Sequence, residues 1–225
     1  FGCVESGFDS RHPDRVLERA PDMKKKELKQ ITDFIYEIGI LRKTPRSGFW
    51  FLGTGEQSVA EHLFRTAYIA YALAYLTPKA DKNKVVLMAL AHDLAEGRTS
   101  DLNYVHQRYG RLAEARAFDD VAESVPFGGA LRDLYLEEQE KKTLEARIVK
   151  DADRLEWIAS LREEEVKGNK KAKEWTVSAR KRLTTPAAKK IVLLLLKTHP
   201  DRWWFNKNDK WFVGREEKYR SMRRK

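Results

Sequence analysis

Chemistry is concentrated where the apolar run Val85-Val86-Leu87-Met88-Ala89-Leu90-Ala91 ends in His92-Asp93. Burying an imidazole beside a carboxylate is costly unless both find partners, and a divalent metal is one such partner. His62 and Asp153 can supply further donors from two other segments. Nitrogen and oxygen ligands in this mixture suit a borderline transition ion better than a thiolate-loving one. Glu96 lies four residues after His92 and three after Asp93, which would put all three on neighbouring faces of one helical turn. Past Gly97, a turn would bring Arg98, Thr99 and Asp101 to the same end. Taken singly, His62 also reads as a buried histidine bonded to a carbonyl, and Asp153 as half of a surface ion pair. The signal lies in their combination.

Helices must position these groups. Leu28, Ile31, Ile35 and Ile38 recur at helical spacing, which predicts a helix over 24–38 ended by Gly39. Thr44-Pro45-Arg46-Ser47-Gly48-Phe49-Trp50 reads as a loop. Ser58 with Glu61 three positions on is a capping box, opening a helix to Leu76 that is almost wholly apolar after Arg65 and therefore expected at the centre. The His-Asp helix is expected over 84–96, stopping at Gly97. Further helices are expected over 105–123, 131–141, 143–166, 171–183 and 186–198, the last opened by Thr185 and Pro186. In the sixth of these eight helices, Ile148, Ala152, Leu155 and Ala159 form an inward seam with Asp153 one step off its edge. No strand pattern competes, so the fold class is all-α.

At 225 residues and 42% hydrophobic content, the chain has enough for one domain with appendages. Residues 1–22 read as a loose leader, 23–200 as the domain, and 201–225 as a basic, Trp-rich extension packing on it. Cys3 is the single cysteine, which excludes an internal disulfide or a cysteine zinc knuckle and favours a reducing, cytoplasmic setting. No basic region followed by an apolar stretch opens the chain, and no apolar segment reaches membrane-spanning length. The net charge is +10; residues 201–225, with nine Lys/Arg against four Asp/Glu, carry half of it. The other basic clusters are dispersed, which favours solvated helix faces over a nucleic-acid surface.

The segments Ser58-Val59-Ala60-Glu61-His62, His92-Asp93-Leu94-Ala95-Glu96-Gly97-Arg98-Thr99-Ser100-Asp101 and Val149-Lys150-Asp151-Ala152-Asp153-Arg154-Leu155-Glu156 together resemble the HD metal-dependent phosphohydrolase superfamily. With Pro45-Arg46-Ser47-Gly48-Phe49 and Gly168-Asn169, the chain is most similar to the 5′-deoxynucleotidase branch, over about residues 24–185. That resemblance implies an HD-domain helical bundle and one divalent ion per chain (Mn, Co, Zn, Mg, Fe or Ni) on His62, His92, Asp93 and Asp153. It further implies Arg46 on the substrate phosphate with Phe49 and Thr99 nearby, Glu96 as general acid/base and Asp101 assisting. A nucleotide substrate and a homodimer are implied as well. Members of that branch often carry Gly where this chain has Ser100, and Trp where it has Phe49.

The implied reaction is hydrolysis of (deoxy)nucleoside 5′-monophosphates to nucleoside and phosphate. The same ligand set also serves phosphodiesterases and nucleoside triphosphate hydrolases. A third reading is a nucleic-acid-binding or regulatory protein using the basic aromatic tail. Among the other histidines, His12 and His199 are expected at the surface, and His106 is a weak candidate for the pocket.

Overall fold

The computed structural model describes residues 24–208, in which every regular element is helical. The first helix, α1 (Lys25–Ile38), ends with Gly39 as its C-cap, as expected, but not by a left-handed glycine. Gly39 keeps a right-handed φ of −63°, and the chain tightens into a 3-10 turn over Gly39–Arg42. The expected loop then contains a short helix, α2 (Gly48–Leu52), which buries Phe49 and Leu52.

α3 (Val59–Tyr75) opens with the expected capping box: the Ser58 hydroxyl accepts from the Glu61 N–H at 3.3 Å, and the Glu61 carboxylate accepts from the Ser58 N–H at 2.7 Å. Only one face of α3 is internal. Val59, His62, Leu63, Thr66, Ala67, Ala70, Leu73 and Ala74 are buried, whereas Phe64, Tyr68, Tyr71 and Tyr75 are exposed. Apolar content alone therefore overstated how central this helix is.

α4 (Lys82–Ala91) is capped by Asp81, whose carboxylate accepts from the Asn83 and Lys84 N–H groups. It stops before His92, not at Gly97. The Leu94, Glu96, Gly97 and Arg98 amides bond three residues back, and a short helix α5 (Glu96–Thr99) carries Gly97 inside it. The chain turns at Ser100, with φ 70° and ψ 165°, a conformation that glycine tolerates far better than serine. The expected helix 105–123 is two, α6 (Tyr104–Tyr109) and α7 (Glu114–Ser124), parted at an extended Gly110.

α8 (Gly128–Glu140) begins against α7 so closely that a Cβ on Gly128 would lie 1.7 Å from the Ala122 carbonyl oxygen. α9 (Leu144–Val166), capped by Thr143, is about 34 Å long at 1.5 Å per residue. α10 (Lys170–Arg180) and α11 (Pro186–Lys197) are capped by Asn169 and Thr185. Asp151, wholly buried, accepts from the Thr184 and Thr185 amides and thereby pins the α10–α11 connection to α9.

α9 is the spine. Its Ile148, Val149, Ala152, Leu155 and Ile158 pack with Ala67, Ala70, Leu73 and Ala74 of α3, Val85, Met88 and Ala89 of α4, and Ala188 and Val192 of α11. Small side chains on facing helices allow the close axis approach that the buried histidines require. The inward seam runs through Ile158 where Ala159 had been expected. Beyond α11, the 3-10 turn Pro200–Trp203 lies against α9, and Trp203 is 86% exposed. Trp211 and Phe212, with most of the basic tail and His12, lie outside the described residues.

Candidate metal and phosphate site

His62 comes from the first turn of α3 and is wholly buried. Its Nδ1 lies 2.7 Å from Glu156 Oε2 on α9. Glu156 Oε1 is held by Gln57 at 2.6 Å, Arg65 at 2.8 Å and Ser160 at 3.2 Å. Burial works to raise the Glu156 pKa, but the hydrogen bond from His62 and the Arg65 guanidinium outweigh it and hold it at about 2. An ionised carboxylate only accepts hydrogen bonds, so the His62 proton sits on Nδ1 and the lone pair on Nε2.

His92 reaches the same arrangement by another route. Its Nδ1 lies 2.7 Å from the Ala89 carbonyl, so Nδ1 donates and Nε2 is free to accept. The two imidazole rings are 5.6 Å apart. Both Nε2 atoms are buried and have no hydrogen-bond partner. Asp93 Oδ2 lies 3.6 Å from His62 Nε2 and 3.3 Å from His92 Nε2, and Asp153 Oδ1 lies 3.5 Å from His62 Nε2. Donor atoms about 2.1 Å from a common ion stand roughly 3.0–3.4 Å apart, so this spacing is that of ligands around one centre. Two orphaned imidazole nitrogens facing carboxylate oxygens therefore fit a divalent ion.

One donor atom each from His62, His92 and Asp153 falls within a 4.8 Å sphere of mutual distances. Asp93 stands at the side of this trio, its Oδ2 shared with Arg46 Nη1 at 3.3 Å. Burial works against ionisation of both carboxyls, yet their neighbours keep them charged. His92, His62 and Arg46 lower Asp93, and Lys150, 2.9 Å from Asp153 Oδ2, together with the histidines lowers Asp153. Burial opposes the Arg46 charge, but Asp93 and Asp101 override it and raise its pKa.

Glu96 behaves oppositely. Burial, the Asp93 charge and, more weakly, Asp101 and Glu114 push its carboxyl up to about 10, with Arg46 pulling the other way, and its Oε2 has no partner. It holds a proton at neutral pH.

Asp101 lines the same cavity but serves the Arg46 loop. Its Oδ2 accepts from the Ser47 N–H at 2.6 Å and the Ser47 hydroxyl at 3.1 Å. Asn103 Nδ2 donates to the same hydroxyl at 3.2 Å. From the other side, the Arg46 N–H donates to the Gln57 carbonyl at 2.8 Å. Arg46 is thus fixed between the His-Asp turn and the start of α3.

Two expected substrate contacts fall elsewhere. Phe49 is 6% exposed, packs edge-on against Trp157 at 5.2 Å and joins Leu52, Leu161 and Ala172 in the core; Phe51 lines the cavity in its place. The phase of α2 causes this, since residues two apart in a helix face different ways. Thr99 is not on the cavity wall; its hydroxyl bonds back to the Ala95 carbonyl at 3.2 Å. His106 is exposed between the edges of Trp50 and Phe51 and is not a wall residue either. His199 caps the 3-10 turn at the surface.

The sequence reading assigned no role to Glu156, Arg65, Lys150, Ser47 or Asn103. Glu156 had a legible signal: an acid directly after Leu155 on the inward side of α9, where a lone carboxylate needs a partner. Ser47 and Asn103 left none, because their contacts span more than fifty residues. The whole cluster opens into a cavity of about 500 Å³ lined by Arg46, Asp93, Glu96, Asp101, Lys150 and Asp153, with aromatic and basic residues beyond.

The family model described as "HD domain" matches residues 38–193. The chain is similar to a 5′-deoxynucleotidase of Schizosaccharomyces pombe, 28% identical over 62% of this chain and 74% of the relative. It is also similar to a 5′-deoxynucleotidase of Homo sapiens, 25% identical over 61% and 69%. Among solved structures, a conserved hypothetical protein from Pyrococcus furiosus superposes with a TM-score of 0.66 at 31% identity, covering 74% of this chain and 99% of that one. The matched span holds all four proposed ligands, Arg46 and Glu96, and on this footing the chain belongs to the HD domain family.

Proposed function

We propose that this protein is a metal-dependent phosphohydrolase that converts (deoxy)nucleoside 5′-monophosphates to nucleoside and orthophosphate. The observation that carries the proposal is the pair of buried, unpartnered Nε2 atoms facing Asp93 and Asp153, with the Arg46 fork 3.3 Å from Asp93. The similarity to 5′-deoxynucleotidases supports the substrate class.

His62, His92, Asp93 and Asp153 would hold one divalent ion per chain. When bound, such an ion supplies Lewis-acid activation of water and neutralises phosphate charge. Arg46 supplies a planar, permanently charged donor set suited to two phosphate oxygens. Its anchoring by Asp101, Ser47 and Gln57 lowers the entropy lost on binding. Glu96, whose carboxyl pKa is raised at the cavity wall, would serve as the general acid/base of the reaction. Lys150 keeps Asp153 ionised and adds positive charge to the phosphate end.

Two finer points belong to the same proposal. A homodimer is supported by Phe64, Tyr68, Tyr71 and Tyr75, which form one exposed aromatic stripe along α3, and light scattering on the purified chain tests it. A cytoplasmic setting is supported by the single cysteine. Among the described residues, no helix is long and apolar enough to cross a membrane.

The experiment is phosphate release from matched deoxy and ribo 5′-monophosphates with Mn²⁺, Co²⁺, Zn²⁺ or Mg²⁺, alongside His92→Ala and Glu96→Gln. Metal-dependent release is expected, lost with its metal in His92→Ala; Glu96→Gln is expected to keep the metal and lose turnover. Undiminished turnover by a metal-free His92→Ala protein overturns the mechanism. Release only from diesters or triphosphates moves the substrate class.

A further inference from the structure

The cavity extends past the phosphate end, and its far wall is aromatic. α9 presents Lys150, Asp153, Arg154 and Trp157 to it, spaced i, i+3, i+4 and i+7 along one face. Trp157 is therefore about 6 Å further along the helix axis than Asp153. α10 adds Trp175 and Ala179, one turn apart. The Trp157 and Trp175 rings lie 6.4 Å apart, with their planes inclined at 43°. Phe49 braces Trp157 from behind, and a Cβ on Gly48 would meet its ring edge at 3.4 Å. Both tryptophans are only half-buried. At the rim, the Arg182 guanidinium lies 5.2 Å over the Tyr104 ring and donates to its hydroxyl.

We infer that Trp157 and Trp175 form the base-recognition platform, and that it favours purine over pyrimidine nucleotides. The inference rests on the monophosphatase reading above and deepens it. With the phosphate held at Arg46 and the ligand cluster, the sugar has about one helical turn to cross before the base meets the indoles. Stacking grows with overlapped ring area, and two indoles offer more surface than a single pyrimidine ring covers. Trp157 is fixed by its packing on Phe49, whereas Trp175 closes the platform from α10 and can be changed without opening that contact.

The test measures kcat/KM for purine and pyrimidine deoxynucleoside 5′-monophosphates and for deoxyribose 5-phosphate, using wild type, Trp175→Ala and Trp175→Phe. Trp175→Ala is expected to lower the ratio of purine nucleotide to deoxyribose 5-phosphate turnover by about 5- to 100-fold, the range stacking on one aromatic supports. Trp175→Phe keeps a ring and should retain most of that ratio. Equal losses on all three substrates, or an unchanged ratio, overturn the inference. Tryptophan fluorescence titration with the same three compounds reads the platform without turnover: purine nucleotide should quench most strongly, with much of the quench lost in Trp175→Phe. If wild type hydrolyses no monophosphate, the activity reading fails while this titration still decides the platform. Quenching that is the same for purine nucleotide and deoxyribose 5-phosphate refutes it.

Discussion

Replacing Glu156 with Gln tests the idea that the metal site is set by a carboxylate that never touches the metal. Glu156 is wholly buried, accepting from His62 at one oxygen and from Gln57, Arg65 and Ser160 at the other. A glutamine there must turn its NH₂ one of two ways. Toward His62, it forces Nδ1 to accept, moves the ring proton to Nε2 and removes the lone pair from the metal side. Toward Arg65 and Gln57, it sets donor against donor and leaves a buried guanidinium edge unpaired.

Either choice is costly. Removing one partner of a buried charge pair typically destabilises by about 3–5 kcal/mol, and losing an outer carboxylate behind a ligating histidine lowers metal affinity by about 10- to 100-fold. Arg65 is about a third exposed and keeps Glu163 at 2.6 Å, so the stability loss should fall below that range, at about 2–3 kcal/mol. Denaturant unfolding of the metal-free protein measures the first quantity, and competition of bound Co²⁺ against a chelator measures the second. Stability within about 0.5 kcal/mol of wild type, together with affinity within about twofold, would refute the reasoning, since neither arm of the dilemma would then operate.

Three further outcomes follow from local geometry. Arg46→Lys should raise KM for a monophosphate by about tenfold or more, because a single ammonium replaces a two-point fork; steady-state kinetics at fixed metal checks it. Ser100→Gly should stabilise the fold by about 1 kcal/mol, since φ 70° with ψ 165° is nearly restricted to glycine, and a rise in Tm of a few degrees would register it. Gly128→Ala should destabilise by about 2 kcal/mol or more, because its Cβ would meet the Ala122 carbonyl at 1.7 Å and α7 would have to move; unchanged thermal unfolding would contradict this.

The sequence by itself determined the helical class, the starts of the helices opened by Ser58 and Thr185, and several of the residues that gather at the cavity. Ser58 with Glu61, and Thr185 with Pro186, are local signals, complete within four residues, and each opens the helix it announces. His92 and Asp93 were legible because polar groups closing an apolar run require a partner, whereas His62 and Asp153, which singly read otherwise, joined them through their combination and the resemblance to HD phosphohydrolases. Periodicity misled where backbone detail decides. It ran α4 through to Gly97, although the chain changes to shorter-range bonds after His92, and it joined α6 to α7 across Gly110. The resemblance, for its part, put Phe49 beside the substrate, when the phase of α2 turns that ring into the core and leaves Phe51 on the cavity wall.

Only the tertiary structure decided which nitrogen of each histidine is free. That choice is made by Glu156, ninety-four residues from His62, and by the Ala89 carbonyl exposed where α4 ends. It also decided the division of labour among the acids. Asp93 and Asp153 stay ionised beside cations, burial and the Asp93 charge raise the Glu96 carboxyl, and Asp101 is taken up by Ser47. The physical reason is that residue type sets what a group can do, whereas desolvation and neighbouring charge, fixed by contacts distant in sequence, set which proton and which lone pair it presents.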